Sequence, residues 1–328
     1  MSTCNAVASA PSACNRVRNG HLSTSNKELS RQIGLEVGST CGKYFLDLDH
    51  LHYGYWPGDL PVTVANVKKA QELYTRFVID RIPNGVKTIL DVGCGGGHVA
   101  KELVGRGFEV DCVSPCPHLA QKAAELLGGA CHIYQCRYED LQTTSRYDLI
   151  LFCESFQYLD MNQAMAKCEE LLNPKGHILI CDYFRKEVNG KGAGSGGHKL
   201  AKFHDVMANQ PFDLMCSMDI TAETAPNMDL MDDIMRQVVK PVAEAGSRLI
   251  VDRHPWLYKV VAWKYRKKIE KLNTKYFSRE RTGDSFRRTR AYLLLVYQMT
   301  PARLGEVRGP VRSVGQSTSK PESVSASN

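Results

Sequence analysis

The sequence predicts an α/β protein built on a mainly parallel sheet with helices on both faces. Three observations carry this. Between residues 86 and 184, short runs rich in Val, Ile, Leu and Cys alternate with segments whose apolar residues recur at helical spacing. A glycine-rich stretch, GCGGG at 93–97, follows the first of those runs and opens a helical pattern. Two more strand-like runs close the series, the last after a long helical insertion.

VKTILDV (86–92), FEVDCV (108–113), CHIYQC (131–136), YDLILFC (147–153) and GHILICDYF (176–184) read as strands one to five. HVAKELVGRG, HLAQKAAELLGG and MNQAMAKCEELLNP lie between them as helices, stopped by Gly or Pro. FDLMCSMDIT (212–221) and RAYLLLVYQM (290–299) are strands six and seven, with a helical cap expected over about 222–289. Residues 1–35 and 301–328 read as disordered from their Ser-rich, weakly apolar composition, leaving one domain over 36–300. No apolar run reaches the ~20 residues that cross a bilayer.

At 328 residues and 43% hydrophobic content, the chain can bury a sizeable core. Its twelve cysteines are scattered without CxxC spacing, so no metal is expected. Without a secretory apolar segment the chain reads as cytoplasmic. Its acid-poor start, with Arg16 and Arg18, leaves a mitochondrion or plastid as the alternative. From Arg248 to Arg290 there are fourteen Lys or Arg against four acids, a local excess of ten where the whole chain carries +7. Such a segment attracts phosphate, nucleic acid or a lipid surface.

Gly93, Gly95 and Gly97 give GxGxG, a turn that lets backbone approach a ligand. A dinucleotide fingerprint needs glycine at 98, where His98 stands. Asp91, two residues before the first glycine, suits a cationic amino-acid ligand and would repel a pyrophosphate. The pattern therefore favours a sulfonium cofactor.

LDVGCGGG, followed by YEDL, YDLILFCESFQYL and LLNPKGHILICDYF, resembles the class I S-adenosylmethionine-dependent methyltransferases over about residues 40–300. The resemblance implies a Rossmann-like seven-stranded sheet with its last strand antiparallel, and S-adenosylmethionine bound across the strands' carboxyl ends. DLDHLHYGYWPGD (47–59) looks like the N-terminal segment that folds over donor and acceptor in tocopherol, quinone, sterol and small-amine methyltransferases. In that family an acid ending strand two bonds the ribose; here Ser114 takes its place. A hydroxyl can still bond a ribose, more weakly than a carboxylate. Asp111 lies within the strand and is a poor substitute. Tyr138 and Glu139, after strand three, are expected at the adenine end. The departure also admits a catalytically inactive, scaffold-type relative.

On the acceptor side, Glu154, Ser155 and Gln157 in CESFQY follow strand four and can point into the cleft. This segment matches neither the Asn/Asp-Pro-Pro-aromatic motif nor a Pro-Cys nucleophile, so no nucleic-acid substrate is expected. HLHYGYW reads as an aromatic packing cluster, or as a lid in which Tyr53 meets the sulfonium by cation–π attraction and His52 is a base. Asp182 and Tyr183 end strand five. NGKGAGSGGHKL (189–200) is a connector, or a flap bringing His198 as a base. HPWLYKVVAWKYRKK mixes Trp and Lys, which suits a cap helix or peripheral membrane contact. Together these predict methyl transfer to a small-molecule acceptor, lipophilic or isoprenoid-like and met near a membrane. A polar amine or phosphobase is the alternative acceptor.

Overall fold

TILDV forms β1, Thr88–Val92, at the middle of the sheet. The computed structural model describes residues 26–188, 191–192, 196–256, 259–260, 262–267, 270 and 282–300. The other sheet strands are β2 (Glu109–Val113), β3 (His132–Tyr134), β4 (Tyr147–Cys153), β5 (Leu172–Arg185), β6 (Phe212–Asp219) and β7 (Arg290–Met299). Their order across the seven-stranded sheet is β3-β2-β1-β4-β5-β7-β6. β1 to β5 run parallel, and β7 lies antiparallel between β5 and β6. This is the expected class I architecture. β3 is shorter than its apolar run suggests, and β5 begins earlier, at Leu172.

Both faces of the sheet's central strands are buried, because helices cover each, while the edge strand β6 is largely exposed. Along β4, Leu149 and Leu151 enter one core while Ile150 and Phe152 enter the other. The same alternation divides Leu179 from Ile180 on β5, and Leu294 from Leu295 on β7. Strands buried on both faces explain why the apolar runs in the sequence are continuous rather than alternating.

The helices are α1 (Asn26–Leu46), α2 (Val67–Ile79), α3 (His98–Gly105), α4 (Pro117–Leu127), α5 (Met161–Leu171) and α6 (Leu200–Ala208). After β6 come α7 (Thr221–Thr224), α8 (Pro226–Ile234), α9 (Lys240–Arg253) and α10 (Gly283–Thr289). The described parts of the insertion are thus mainly helical. The N-terminal boundary is corrected: residues 26–35, expected to be disordered, are helical, and Leu35 reaches the central cavity. The remaining expected tails, 1–25 and 301–328, lie outside the described residues. β1 has β2 on one side and β4 on the other, so successive crossovers diverge there and leave a crevice at the carboxyl ends.

Candidate active site

That crevice holds a cavity of about 700 Å³. Asp91 lies at its floor, buried within β1, and among the described residues no group bonds its Oδ2. Burial alone pushes its carboxyl up to about 7. Gly93 has φ +80°, and a side chain there would put its Cβ 2.5 Å from that of Ser155. Gly95, at φ +56°, has open space beside it and faces the cavity with its backbone.

The wall beyond β2 and β3 carries Ser114 and Glu139. Ser114 is buried, and its hydroxyl has only a long contact, 3.5 Å, to the Cys116 carbonyl. Glu139 pairs through Oε1 with Arg137 at 3.2 Å, while its buried Oε2 has no partner among the described residues. Two carboxylates with unpartnered buried oxygens therefore border one cavity. Asp111 is spent elsewhere, accepting from the Tyr147 hydroxyl at 2.7 Å.

Glu154 enters from the end of β4 in a left-handed conformation (φ 54°). Its Oε1 accepts from the Tyr53 amide (2.7 Å) and the Tyr292 hydroxyl (2.6 Å). Burial raises the carboxyl to about 7, against the opposing pull of those two donors. Above the cavity runs the segment 47–59, whose His50 and Leu51 line the opening with His98 of α3. Burial, aided by His98, lowers His50 to about 4, so its imidazole is neutral near pH 7.

A family model described as "Methyltransferase domain" matches residues 90–180, the span from β1 to β5 that builds this floor and wall. Residues 90–180 thus match a methyltransferase domain, and they sit on the seven-stranded fold of class I S-adenosylmethionine-dependent methyltransferases. Over 123 residues it is 31% identical to the malonyl-[acyl-carrier protein] O-methyltransferase of Anoxybacillus flavithermus, covering 36% of this chain and 46% of that protein. Over 138 residues it is 33% identical to a ubiquinone biosynthesis O-methyltransferase of Rickettsia felis, covering 40% and 54%. The chain thus spans about half the length of these relatives. Its fold is shared by the geranyl diphosphate C-methyltransferase of Streptomyces coelicolor, at TM-score 0.54 and 17% identity, covering 81% of this chain and 92% of that one. That protein was solved with Mg2+, geranyl-S-thiolodiphosphate and S-adenosyl-L-homocysteine.

The site fits the cofactor on its own chemistry. A cation with an amino-acid head and a diol is what two unpartnered buried carboxylate oxygens and an open glycine backbone can receive. Asp91, Gly93, Gly95, Ser114, Glu139 and Glu154 all line the cavity.

Other expectations are corrected. Gly97 does not line the cavity; at φ +84° it starts α3, and its Cβ would meet that of Ala123 on α4 at 3.0 Å. Its role is helix packing. Tyr138 borders the cavity, but its ring packs on Phe152 and its hydroxyl meets Cys168 Sγ at 3.3 Å. Tyr53 lies off the cavity among Tyr183, Phe286 and Tyr292, so its backbone, not its ring, serves the site. His52 has both nitrogens engaged. Nδ1 must donate to the Tyr53 carbonyl (2.8 Å), which leaves Nε2 to accept from Thr75 (3.0 Å), and burial lowers the ring to about 3. No lone pair remains for a base. His198 Nε2 donates to the Phe156 carbonyl at 3.1 Å, off the cavity; the neighbouring Gly196 and Gly197 line it instead. Asp182 is also structural, accepting from the Gln157 amide.

The residue that sequence reasoning missed is Asn227 on α8. Its Oδ1 accepts from the Gly54 amide (2.8 Å) and Trp56 Nε1 (3.2 Å), while Nδ2 donates to the Gly54 carbonyl (2.7 Å). This ties the arm to the insertion. A lone Asn after Pro226 carries no recognisable signal for it.

Proposed function

We propose that the protein transfers a methyl group from S-adenosylmethionine to a small lipophilic acceptor of isoprenoid or prenylated-phenol type. The observation carrying this is the pair of unpartnered carboxylate oxygens, on Asp91 and Glu139, at a glycine-floored cavity whose other lining includes Leu35, Leu51 and Leu119. The acidic groups suit a cationic donor. The leucines, one of them from α1, suit an apolar acceptor.

When bound, S-adenosylmethionine supplies an electrophilic methyl on a positively charged sulfur. Asp91 would hold the amino-acid head, and Ser114 with Glu139 the nucleoside end. Alignment of the acceptor supplies much of the rate in such a displacement. Glu154, fixed by Tyr53 and Tyr292, can hold a proton released from an acceptor hydroxyl once it is ionised, which requires a pH near or above 7. The names of the ubiquinone and geranyl diphosphate methyltransferases support an isoprenoid-type acceptor. The amine alternative has less support, because the arm's Tyr53 and Trp56 pack inward rather than forming an aromatic cage on the cavity.

Incubation with methyl-labelled S-adenosylmethionine and a panel of prenylated phenols, isoprenyl diphosphates and phosphobases tests the proposal. Label in a prenylated product, lost in Asp91→Asn, is expected. Label only in phosphobases would replace the acceptor class. Failure of the folded protein to bind the donor would favour a scaffold role.

A further inference from the structure

We propose that the insertion between β6 and β7 docks the protein on an anionic phospholipid bilayer. The inference rests on the insertion's own surface and does not depend on which acceptor the cavity takes.

α8 and α9 are joined by a π-helical turn, Met235–Val239, so the chain is helical without a break from Pro226 to Arg253. Its first part is anchored: Asn227 holds the arm, and Asp229 Oδ1 accepts from the Gly283 amide at 2.8 Å. From Gln237 on, nearly every described residue of the helix is exposed. Val238, Val242 and Leu249, spaced by four and seven, form one stripe and are 55%, 67% and 57% exposed. Further on, Trp256, Val260 and Trp263, spaced by four and three, are 68%, 51% and 82% exposed. Two groups of exposed apolar side chains thus stand in water on one insertion, which is unusual for a soluble monomer.

Charge identifies the occupant. Lys259, Lys264 and Lys267 lie in the same stretch as the two tryptophans, and Arg253 lies beside the valine stripe, whereas Lys240 falls on the opposite helix face. Over the described residues from 238 to 267 only Glu244 and Asp252 oppose them. A second copy of this chain seated on the same face would set these cations against each other. A surface of anionic headgroups over acyl chains satisfies both features, with indoles at the boundary and ammonium groups toward the phosphates. No helix among the described residues is long and apolar enough to cross a membrane. The contact is therefore in the plane of the surface.

The test is co-flotation of the full-length protein with phosphatidylcholine vesicles, with and without roughly 30% phosphatidylserine. Binding that needs phosphatidylserine and weakens with salt is expected. Trp56 is buried, so a blue shift of indole emission on binding reports the remaining two tryptophans, Trp256 and Trp263. Lys259→Glu/Lys264→Glu/Lys267→Glu should weaken partitioning at least about a hundredfold, at about fivefold per lysine. Trp256→Ser/Trp263→Ser should abolish the blue shift. Donor titration and melting of both variants should match wild type, which separates this proposal from any failure of the methyltransferase reading. Equal binding to neutral vesicles, or full retention by the lysine variant, would overturn it. So would no binding to either vesicle, or a dimer in sedimentation that the tryptophan variant dissolves.

Discussion

Asp91 sets stability against binding. Its carboxyl titrates at about 7 in the folded protein, well above the ordinary ~3.9 of an unfolded Asp. Between those values the folded state binds more protons, so stability falls as pH rises from 4 to 7 and stays low above. Asp91→Asn keeps the shape and removes the charge. Without ligand, the variant should melt higher than wild type at pH 8, with the gap closing toward pH 4 in a series of thermal scans. Its donor affinity should drop about a hundredfold and lose its pH dependence, whereas wild-type binding tightens as pH passes 7, as titration calorimetry would show. Glu154 offers a second test at this scale. Tyr292 donates to it and lowers its pKa, so Tyr292→Phe should move the acidic limb of the kcat/KM profile upward by about one unit. An unmoved limb would remove Glu154 from the reaction.

At the scale of elements, the arm over residues 50–56 is held from two sides: by Glu154 at the Tyr53 amide and by Asn227 at Gly54 and Trp56. Asn227→Ala leaves those donors unpaired, which costs about 1–3 kcal/mol. Faster amide exchange at 53–56 and a raised KM for the donor are the expected readouts, with the sheet's protection unchanged. The glycine loop separates two kinds of glycine. Gly97→Ala must accommodate a Cβ 3.0 Å from that of Ala123 at φ +84°, so the melting temperature should fall clearly. Gly95→Ala meets nothing within 4 Å among the described residues and should cost stability less, about 1 kcal/mol, yet reduce donor affinity, because Gly95 lines the cavity. A loss of stability at Gly95 equal to that at Gly97 would contradict this division.

For the molecule as a whole, the sheet was legible because its central strands are buried on both faces and so appear as unbroken apolar runs, as LILF in β4 does. The floor was legible too, since Asp91, Gly93 and Gly95 lie within five residues of one another at the end of one strand and all line the cavity. What was not legible came from partners distant in sequence. His52 looks like a base until Thr75 and Tyr53 take its nitrogens, and Asn227 has no meaning until Gly54 lies against it. The insertion is peripheral in this respect: none of its described residues line the cavity, and its retained ends, α8 and α10, already meet through Asp229 and Gly283. Replacing residues 240–281 by a short linker should therefore leave donor affinity within about twofold in calorimetry, since loop length adds little to closure entropy. The arm's attachment to Asn227 also has a consequence during synthesis. Gly54 leaves the ribosome 173 residues before its partner. At ordinary elongation rates the arm spends on the order of 10–30 s without its dock, its tryptophan uncovered on the nascent chain. A donor-competent pocket is thus a late event of translation, reached only when the chain has grown past the helix that will hold its beginning in place.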